Sequence, residues 1–141
     1  MSTSAEVKRR RAEYLAAHPQ CEYTQAIGPK TNFPGNFPAT EVDHIFGRNG
    51  PEDAAEHPSN YMAADHAVHS WKTDNDRDGR IVAIWWKHRH GELDCDRIKA
   101  VFGQWPLGWL SNQLDKDGLP WWIREMAEEV LDGGREETQT G

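Results

Sequence analysis

Alternating hydrophobic and polar positions predict two short strands in the first half of the chain. Residues 40–46, TEVDHIF, are rich in residues that favour β-structure and predict the first strand. Residues 60–64 predict a second, shorter strand. The segment between them, residues 47–59, contains Gly50-Pro51 and Pro58, which break regular structure and predict a loop. The pattern therefore predicts a strand, a loop and a second strand, in that order.

The positions that follow the second strand predict a helix. Asp65 has the side chain typical of a helix N-cap, and we expect the helix to continue to about Thr73. Val68 and Trp71 share one helical face, whereas His69 points the opposite way. A helix that buries Val68 and Trp71 would therefore hold His69 outward on a rigid support.

Further helices are predicted at both ends of the chain. Thr3-Ser4-Ala5-Glu6 has the form of a capping box and predicts a helix over residues 4–17. In the second half, glycines separate four helical segments, near residues 81–90, 95–102, 106–115 and 119–131. Residues 133–141 predict a disordered tail.

The length of 141 residues suits one domain, which we place at residues 1–132, with a core near 38–75 and a helical extension near 80–132. All seven tryptophans lie in the second half and predict its hydrophobic core. Cys21 and Cys95 are too few for a disulfide framework. Because we find neither a signal peptide nor an apolar run of membrane-spanning length, we expect a cytoplasmic protein with no membrane partner.

The formal net charge of -7 weighs against strong non-specific binding to nucleic acid, but its distribution matters more. Basic residues cluster at 8–11, whereas acidic residues collect towards the C-terminus. Phosphate contacts require only a local positive surface. Residues 8–11 therefore either follow a DNA backbone or form a solvated helix face.

Polar side chains stand near the ends of the elements predicted between residues 40 and 73. They are Asp43, His44, Arg48, Asn60, His69 and Lys72. Cleavage of a phosphodiester requires a base that activates water, a cation that stabilises negative charge, and groups that hold both in place. A carboxylate and a histidine from separate elements can ligate one divalent metal, which leaves another histidine as the base. The set therefore contains the groups that this chemistry requires.

Residues 41–48, 59–61 and 69–72 together resemble the motif of the HNH, or ββα-metal, endonucleases. The resemblance covers about residues 5–75. It implies an α+β fold in which a ββα-metal core is joined to an N-terminal helix and to a Trp-rich helical C-terminal half. It also implies a metal-dependent DNA endonuclease, of the small stand-alone kind that is common in bacteriophages.

The same resemblance implies a role for each polar side chain of the motif. His44 resembles the general base that activates water, and Asn60 resembles the residue that orients the loop and His44. Asp43 and His69 resemble the ligands of one divalent metal ion, Mg²⁺ in the first place and otherwise Mn²⁺, Ni²⁺ or Zn²⁺, which would stabilise the leaving 3′-oxygen. The implied nucleic-acid contacts are Arg48, Lys72, Arg9 and Arg10.

The chain departs from many members of that family, which carry a structural zinc ion held by two C-x-x-C pairs. Thr24 stands where Cys21 would need its partner, and Asp65 and Val68 stand where the second pair would lie. One cysteine cannot complete a tetrahedral site, so we expect no structural zinc.

Several alternatives stay open at this point. A chain of this fold that no longer cuts could bind DNA, or could dock a protein partner through its acidic, Trp-rich half. His66 could join the metal or remain a surface histidine. Residues 74–79 match half of a calcium-binding loop, but Trp85 replaces the glutamate that calcium needs, so the sequence favours a solvated acidic turn over a calcium site. RNA is also open as a substrate.

Overall fold

A computed structural model describes the backbone of residues 4–28, 37–46 and 56–140, and it leaves out the side chains of residues 4, 69, 70, 73, 74 and 134–140. Seven helices and two strands lie within these ranges. The helices are α1 (Ser4–Ala17), α2 (Glu22–Ile27), α3 (His66–Asp74), α4 (Asp76–Arg89), α5 (Cys95–Phe102), α6 (Pro106–Leu114) and α7 (Trp121–Thr140). The strands are β1 (Glu41–His44) and β2 (Tyr61–Ala64). The protein is therefore α+β, as expected.

The two strands form an antiparallel pair in which His44 lies opposite Tyr61 and Glu41 lies opposite Ala64. Both strands are shorter than the sequence predicted. The chain bends after His44, and a 3₁₀ turn over Pro58–Asn60 leads into β2. Asn60 therefore belongs to the turn, directly beside the end of β1.

Helix α3 begins where the sequence predicted. The Asp65 carboxylate accepts a hydrogen bond from the Ala67 backbone N–H at 3.0 Å, which satisfies one of the unpaired donors at a helix start. Val68 is fully buried, as its place on the apolar face required. The order strand, strand, helix follows from these elements.

Residues 74–79 do not form the acidic turn that the sequence suggested, nor a calcium loop. Helix α4 begins at Asp76, only one residue after α3 ends, so Gly79 lies within a helix. Asp76 and Asp78 occupy the first turn of α4, where negative charge is favourable. These carboxylates stabilise a helix start, and a helical backbone cannot provide the successive ligands of a calcium loop.

Other boundaries agree with or depart from the expected ones. Helices α1 and α5 span the predicted residues, whereas α2 was missed because six residues carry too little periodicity. The backbone of residues 133–140, expected as a tail beyond the helix, continues α7 to Thr140. Cys21 and Cys95 are not joined in a disulfide.

The main hydrophobic core extends from α2, β2 and α3 through α4 to α6 and α7. Ile84, Leu110 and Ile123 are fully buried there. A smaller cluster fills the space between α1 and the sheet, around Tyr14 and Tyr61. No helix in the described part of the chain combines the length and the apolar character needed to cross a membrane.

Most tryptophans pack against the main core, as predicted. Trp85 is buried in the main core. Four half-buried tryptophans pack against this core: Trp71, Trp86, Trp109 and Trp122. Trp105 and Trp121 are 40% and 67% exposed. Trp105 lies directly before α6, whereas Trp121 is the first residue of α7. The start of α7 lies near the C-terminal end of α6, because Arg124 of α7 donates to the Leu114 carbonyl of α6 at 3.2 Å. Among the described residues, the two exposed indoles therefore form no continuous patch.

Candidate active site

The end of strand β1 places two ionisable side chains on opposite faces of the sheet. Asp43 and His44 are adjacent, and successive side chains of a strand point to opposite sides. Both are buried, with 5% of each residue exposed. Each must therefore find polar partners inside the protein, because a buried charge without a partner is strongly destabilising.

Asp43 is held by two side chains from neighbouring helices. The Tyr23 hydroxyl of α2 donates to its Oδ2 at 2.5 Å. The Lys72 ammonium of α3 lies 3.2 Å from Oδ1 and 3.1 Å from Oδ2. Burial and then the charge of Asp43 raise the pKa of Tyr23 well above its usual value, so this hydroxyl stays a neutral donor.

Helix α4 passes close to the aliphatic part of the Lys72 side chain, whose ammonium group reaches Asp43. A Cβ atom added at Gly79 would lie only 2.4 Å from Lys72 Cγ. Glycine at this position therefore allows α4 to pack directly on the lysine. The side chain of Lys72 is only 11% exposed, and its ammonium also approaches the His44 carbonyl at 3.5 Å.

His44 faces the other side of the sheet, where it meets a glutamate that the sequence did not single out. The distance from His44 Nε2 to Glu56 Oε2 is 2.8 Å. The ring stands edge-on to Tyr61, with 5.5 Å between the ring centres. Only 4% of the His44 side chain is exposed. The carboxylate fixes the orientation of this imidazole.

Glu56 is the centre of a buried network. Arg11 donates to both of its carboxylate oxygens at 2.8 Å, and the Tyr61 hydroxyl donates to Oε1 at 2.9 Å. Burial alone would raise the pKa of this carboxyl, but hydrogen bonds from Arg11, His44 and Tyr61 outweigh it and lower the pKa to about 2. Glu56 is therefore a carboxylate at neutral pH.

The remaining members of the network are kept in the matching protonation states. The hydrogen bond to Glu56 raises the pKa of Arg11, which stays cationic. Burial and the Glu56 hydrogen bond raise the pKa of Tyr61 to about 12, which keeps it a neutral donor. At neutral pH the network pairs one carboxylate with one guanidinium and one hydroxyl.

Asn60 holds the backbone directly after β1. Its Oδ1 accepts a hydrogen bond from the Phe46 N–H at 2.8 Å, and its carbonyl accepts one from the Ile45 N–H at 2.9 Å. These two bonds tie the chain that leaves His44 to the start of β2. They are positioning contacts, and the part of Asn60 in catalysis stays a prediction.

Two predicted site residues fall outside the description. Arg48 lies in the range 47–55, and the side chain of His69 is among those left out of α3. Their assignments as phosphate contact and metal ligand therefore stay predictions. The contact of Lys72 with phosphate also stays a prediction, although in this structure its ammonium is bound to Asp43.

The basic helix α1 presents its arginines to different surroundings. Arg9 is 69% exposed and lies 3.7 Å from Glu13, one turn further along. Arg10 is half-buried. Arg11 turns inward to Glu56. The contact of Arg9 and Arg10 with DNA stays a prediction, whereas Arg11 is part of the His44 network.

The open question about His66 has a partial answer in its surroundings. Its side chain is 87% exposed, and Nδ1 lies 3.4 Å from Glu41 Oε1. This is the position of a surface histidine. In the described residues no group of three or more histidine, cysteine or acidic side chains could hold a metal ion.

Sequence reasoning missed Glu56, Arg11 and Tyr23. Arg11 had a usable signal, since it stands three residues before the buried Tyr14 and therefore shares its helical face. Glu56 lies in a polar loop segment with no periodicity to mark it. Tyr23 lies in the short helix that was missed, and nothing local indicates that its hydroxyl meets Asp43.

The carboxylate of Asp43 is suited to a cation, because an ammonium group already stands at both of its oxygens. In this structure Lys72 fills that position. His69, the other ligand implied by the resemblance, cannot be placed relative to Asp43 because its side chain lies outside the description.

Comparisons of the chain with models of protein families, with curated proteins and with solved structures found no match.

Proposed function

We propose that this chain is a metal-dependent endonuclease that hydrolyses phosphodiester bonds in DNA, with His44 as the general base. One observation carries the proposal most directly: His44 Nε2 lies 2.8 Å from the carboxylate of Glu56. A carboxylate partner accepts a hydrogen bond from Nε2–H, so Nδ1 is the unprotonated nitrogen of the neutral ring. A fixed tautomer of this kind is what a general base requires.

The hydrolytic step uses the residues of the His44 network. A water oxygen attacks phosphorus, its proton passes to Nδ1 of His44, and the bond from phosphorus to the 3′-oxygen breaks; the leaving 3′-oxygen then takes a proton from solvent and becomes a hydroxyl. Glu56 stabilises the imidazolium that forms, since its pKa of about 2 keeps it negatively charged. Arg11 and Tyr61 hold Glu56 in place. Because the His44 ring is 4% exposed, substrate reaches it only after the surrounding chain opens.

Asp43, together with His69 as the resemblance implies, would hold the divalent metal. A bound metal ion would stabilise the negative charge that develops on the leaving oxygen. The support from the structure is that both oxygens of the Asp43 carboxylate already bind a cation, the Lys72 ammonium, which a metal ion would have to replace. The buried Tyr23 hydroxyl helps to orient this carboxylate through its hydrogen bond to Oδ2 of Asp43.

The experiment is cleavage of supercoiled plasmid by the purified chain in Mg²⁺, Mn²⁺ or EDTA. We expect nicking or linearisation only with metal, and a loss of about 10²-fold or more in rate for His44→Ala, since a general base contributes that much. Glu56→Gln should also slow cleavage. His90→Ala is the matched control, because His90 is exposed at the C-cap of α4, where its ring contacts the Trp86 carbonyl and ring.

Two results would overturn the proposal. A folded His44→Ala variant that cuts as fast as the wild type would remove His44 from the reaction. A folded wild-type chain that cuts neither DNA nor RNA with any metal would remove the enzyme assignment.

A second candidate function is the binding of DNA, or of a protein partner, without cleavage of nucleic acid. The specific observation in its favour is that Asp43 and His44 are both buried and satisfied by internal partners. A gel shift on the same DNA, without cleavage in any metal, would support binding alone. Docking through the C-terminal half has less support, because its two exposed tryptophans are apart.

A further inference from the structure

We propose that Lys72 and the divalent metal ion compete for Asp43, so that the chain holds its metal weakly until Lys72 moves away. The inference rests on the proposed metal site and adds a residue that controls its occupancy. Lys72 Nζ lies 3.2 Å from Oδ1 and 3.1 Å from Oδ2 of Asp43, so the ammonium covers both oxygens. The Tyr23 hydroxyl also donates a hydrogen bond to Oδ2.

Charge prevents the two cations from sharing this carboxylate. Asp43 has one negative charge, whereas an ammonium and a divalent ion together have three positive charges. At contact distance in a poorly hydrated site the two cations repel each other strongly. Lys72 is 11% exposed, so solvent screens this repulsion little. Metal binding therefore requires the ammonium to leave Asp43.

The lysine can leave without unfolding α3. Gly79 of α4 pins the stem of the side chain near Cγ, at the place where an added Cβ would lie 2.4 Å away. The atoms beyond Cγ belong to a flexible four-carbon stem, so the ammonium can turn while its base stays fixed. A phosphate of bound DNA is the natural acceptor for the released charge. Metal and substrate should then favour each other's binding through Lys72.

The test measures metal affinity without activity. Mn²⁺ binding to the full chain is followed by isothermal calorimetry, without DNA, for the wild type, Lys72→Met and Asp43→Asn. We expect Lys72→Met to bind Mn²⁺ about tenfold more tightly or better, the size of effect that neighbours of a metal ligand commonly have. Asp43→Asn should bind weakly or not at all. Lys99→Met is the matched control, because Lys99 is exposed on α5, over the ring of Trp105.

A second measurement compares Lys72 with Lys99 within the wild type, so its main result does not depend on the folding of a variant. Reductive methylation labels exposed lysine amines, and mass spectrometry reads each site. We expect Mn²⁺ to speed the labelling of Lys72, with no change at Lys99, and to have no effect on Lys72 in Asp43→Asn, where the metal site is lost.

The outcomes separate this inference from the proposed function. Equal Mn²⁺ affinity in the wild type and in folded Lys72→Met, or labelling of Lys72 that Mn²⁺ leaves unchanged, overturns the competition alone. Absence of Mn²⁺ binding in both proteins overturns the competition and the metal requirement together. Plasmid cleavage in EDTA then decides whether the nuclease assignment survives.

Discussion

The region around the sheet and the helical half bury different kinds of side chain. In the described residues up to the end of α3, the buried polar side chains are Glu22, Thr24, Asp43, His44, Glu56, Asn60 and Lys72, whereas those from α4 onward are Lys87 and Gln113. The helical half is filled instead by aliphatic side chains such as Ile84 and Leu110.

This difference indicates which region contributes more to stability and which is the better candidate for the proposed chemistry. Burial of aliphatic surface is directly favourable. Buried ion pairs commonly add no net stability over apolar residues of the same size, because desolvation offsets the attraction. The charged groups buried around Asp43 and His44 are therefore a poor solution for stability alone, and buried ionisable groups with specific partners are common at functional sites.

The largest expected effect on stability lies in the helical half. Ile84→Ala removes a fully buried side chain from α4 and should lower the free energy of unfolding by about 2 to 5 kcal/mol. Urea denaturation followed by circular dichroism measures this loss. Trp121→Ala is the control, since Trp121 is 67% exposed and its removal should change stability by less than about 0.5 kcal/mol. Equal losses for the two would show that α4 does not hold the core.

The next effect compares two arginine–glutamate pairs of the same geometry. Arg11 donates to both oxygens of buried Glu56, and Arg89 donates to both oxygens of Glu129 at 2.9 Å on the surface of the helical half. Glu56→Gln should cost about 1.5 to 3 kcal/mol, because it weakens hydrogen bonds to charged groups. Glu129→Gln should cost less than about 1 kcal/mol, because solvent screens that pair. A cost for Glu129→Gln that matches the cost for Glu56→Gln would contradict the comparison.

The same pair of variants predicts how stability depends on pH. The pKa of Glu56 in the folded protein is about 2, below the ordinary value of 4.5. Its contribution to stability is therefore complete above about pH 4.5 and is lost as the pH falls toward 2. Urea unfolding at several pH values should show this loss in the wild type and a smaller one in Glu56→Gln. If both proteins lose stability in parallel, Glu56 is not the group responsible.

The smallest effect concerns the contact between α3 and α4. Gly79→Ala places a methyl group against the stem of Lys72, which should cost about 1 to 3 kcal/mol in strain. The better helix propensity of alanine offsets up to about 1 kcal/mol of this loss in stability. Gly28→Ala is the control, because its added Cβ meets no described part of the chain within 4 Å outside its own helix and neighbours, and its backbone is helical. Thermal unfolding should place Gly79→Ala below the wild type and Gly28→Ala at or slightly above it.

Features that depend on interactions between residues close in sequence were predicted correctly more often than features that depend on residues far apart in the chain. Elements with strong local signals were found, such as the cap at Asp65 and the helix over Cys95–Phe102. Short α2 lacked such a signal, and the acidic run before Gly79 was misread as a turn because its carboxylates suit both a loop and a helix start. Asp43 and His44 were recognised from the motif, but their partners were not.

The sequence by itself determined the order of the strands and of α3, the place of Asp43 and His44 at the end of β1, and the face of α3 that is buried. These follow from capping, from periodicity and from residue propensity, which act over a few neighbouring residues. Only the tertiary structure decided that His44 meets Glu56, that Arg11 meets the same carboxylate from 45 positions away, and that Lys72 meets Asp43 across 29 positions. A buried charge must be paired wherever packing brings a partner, and packing joins residues without regard to their distance along the chain.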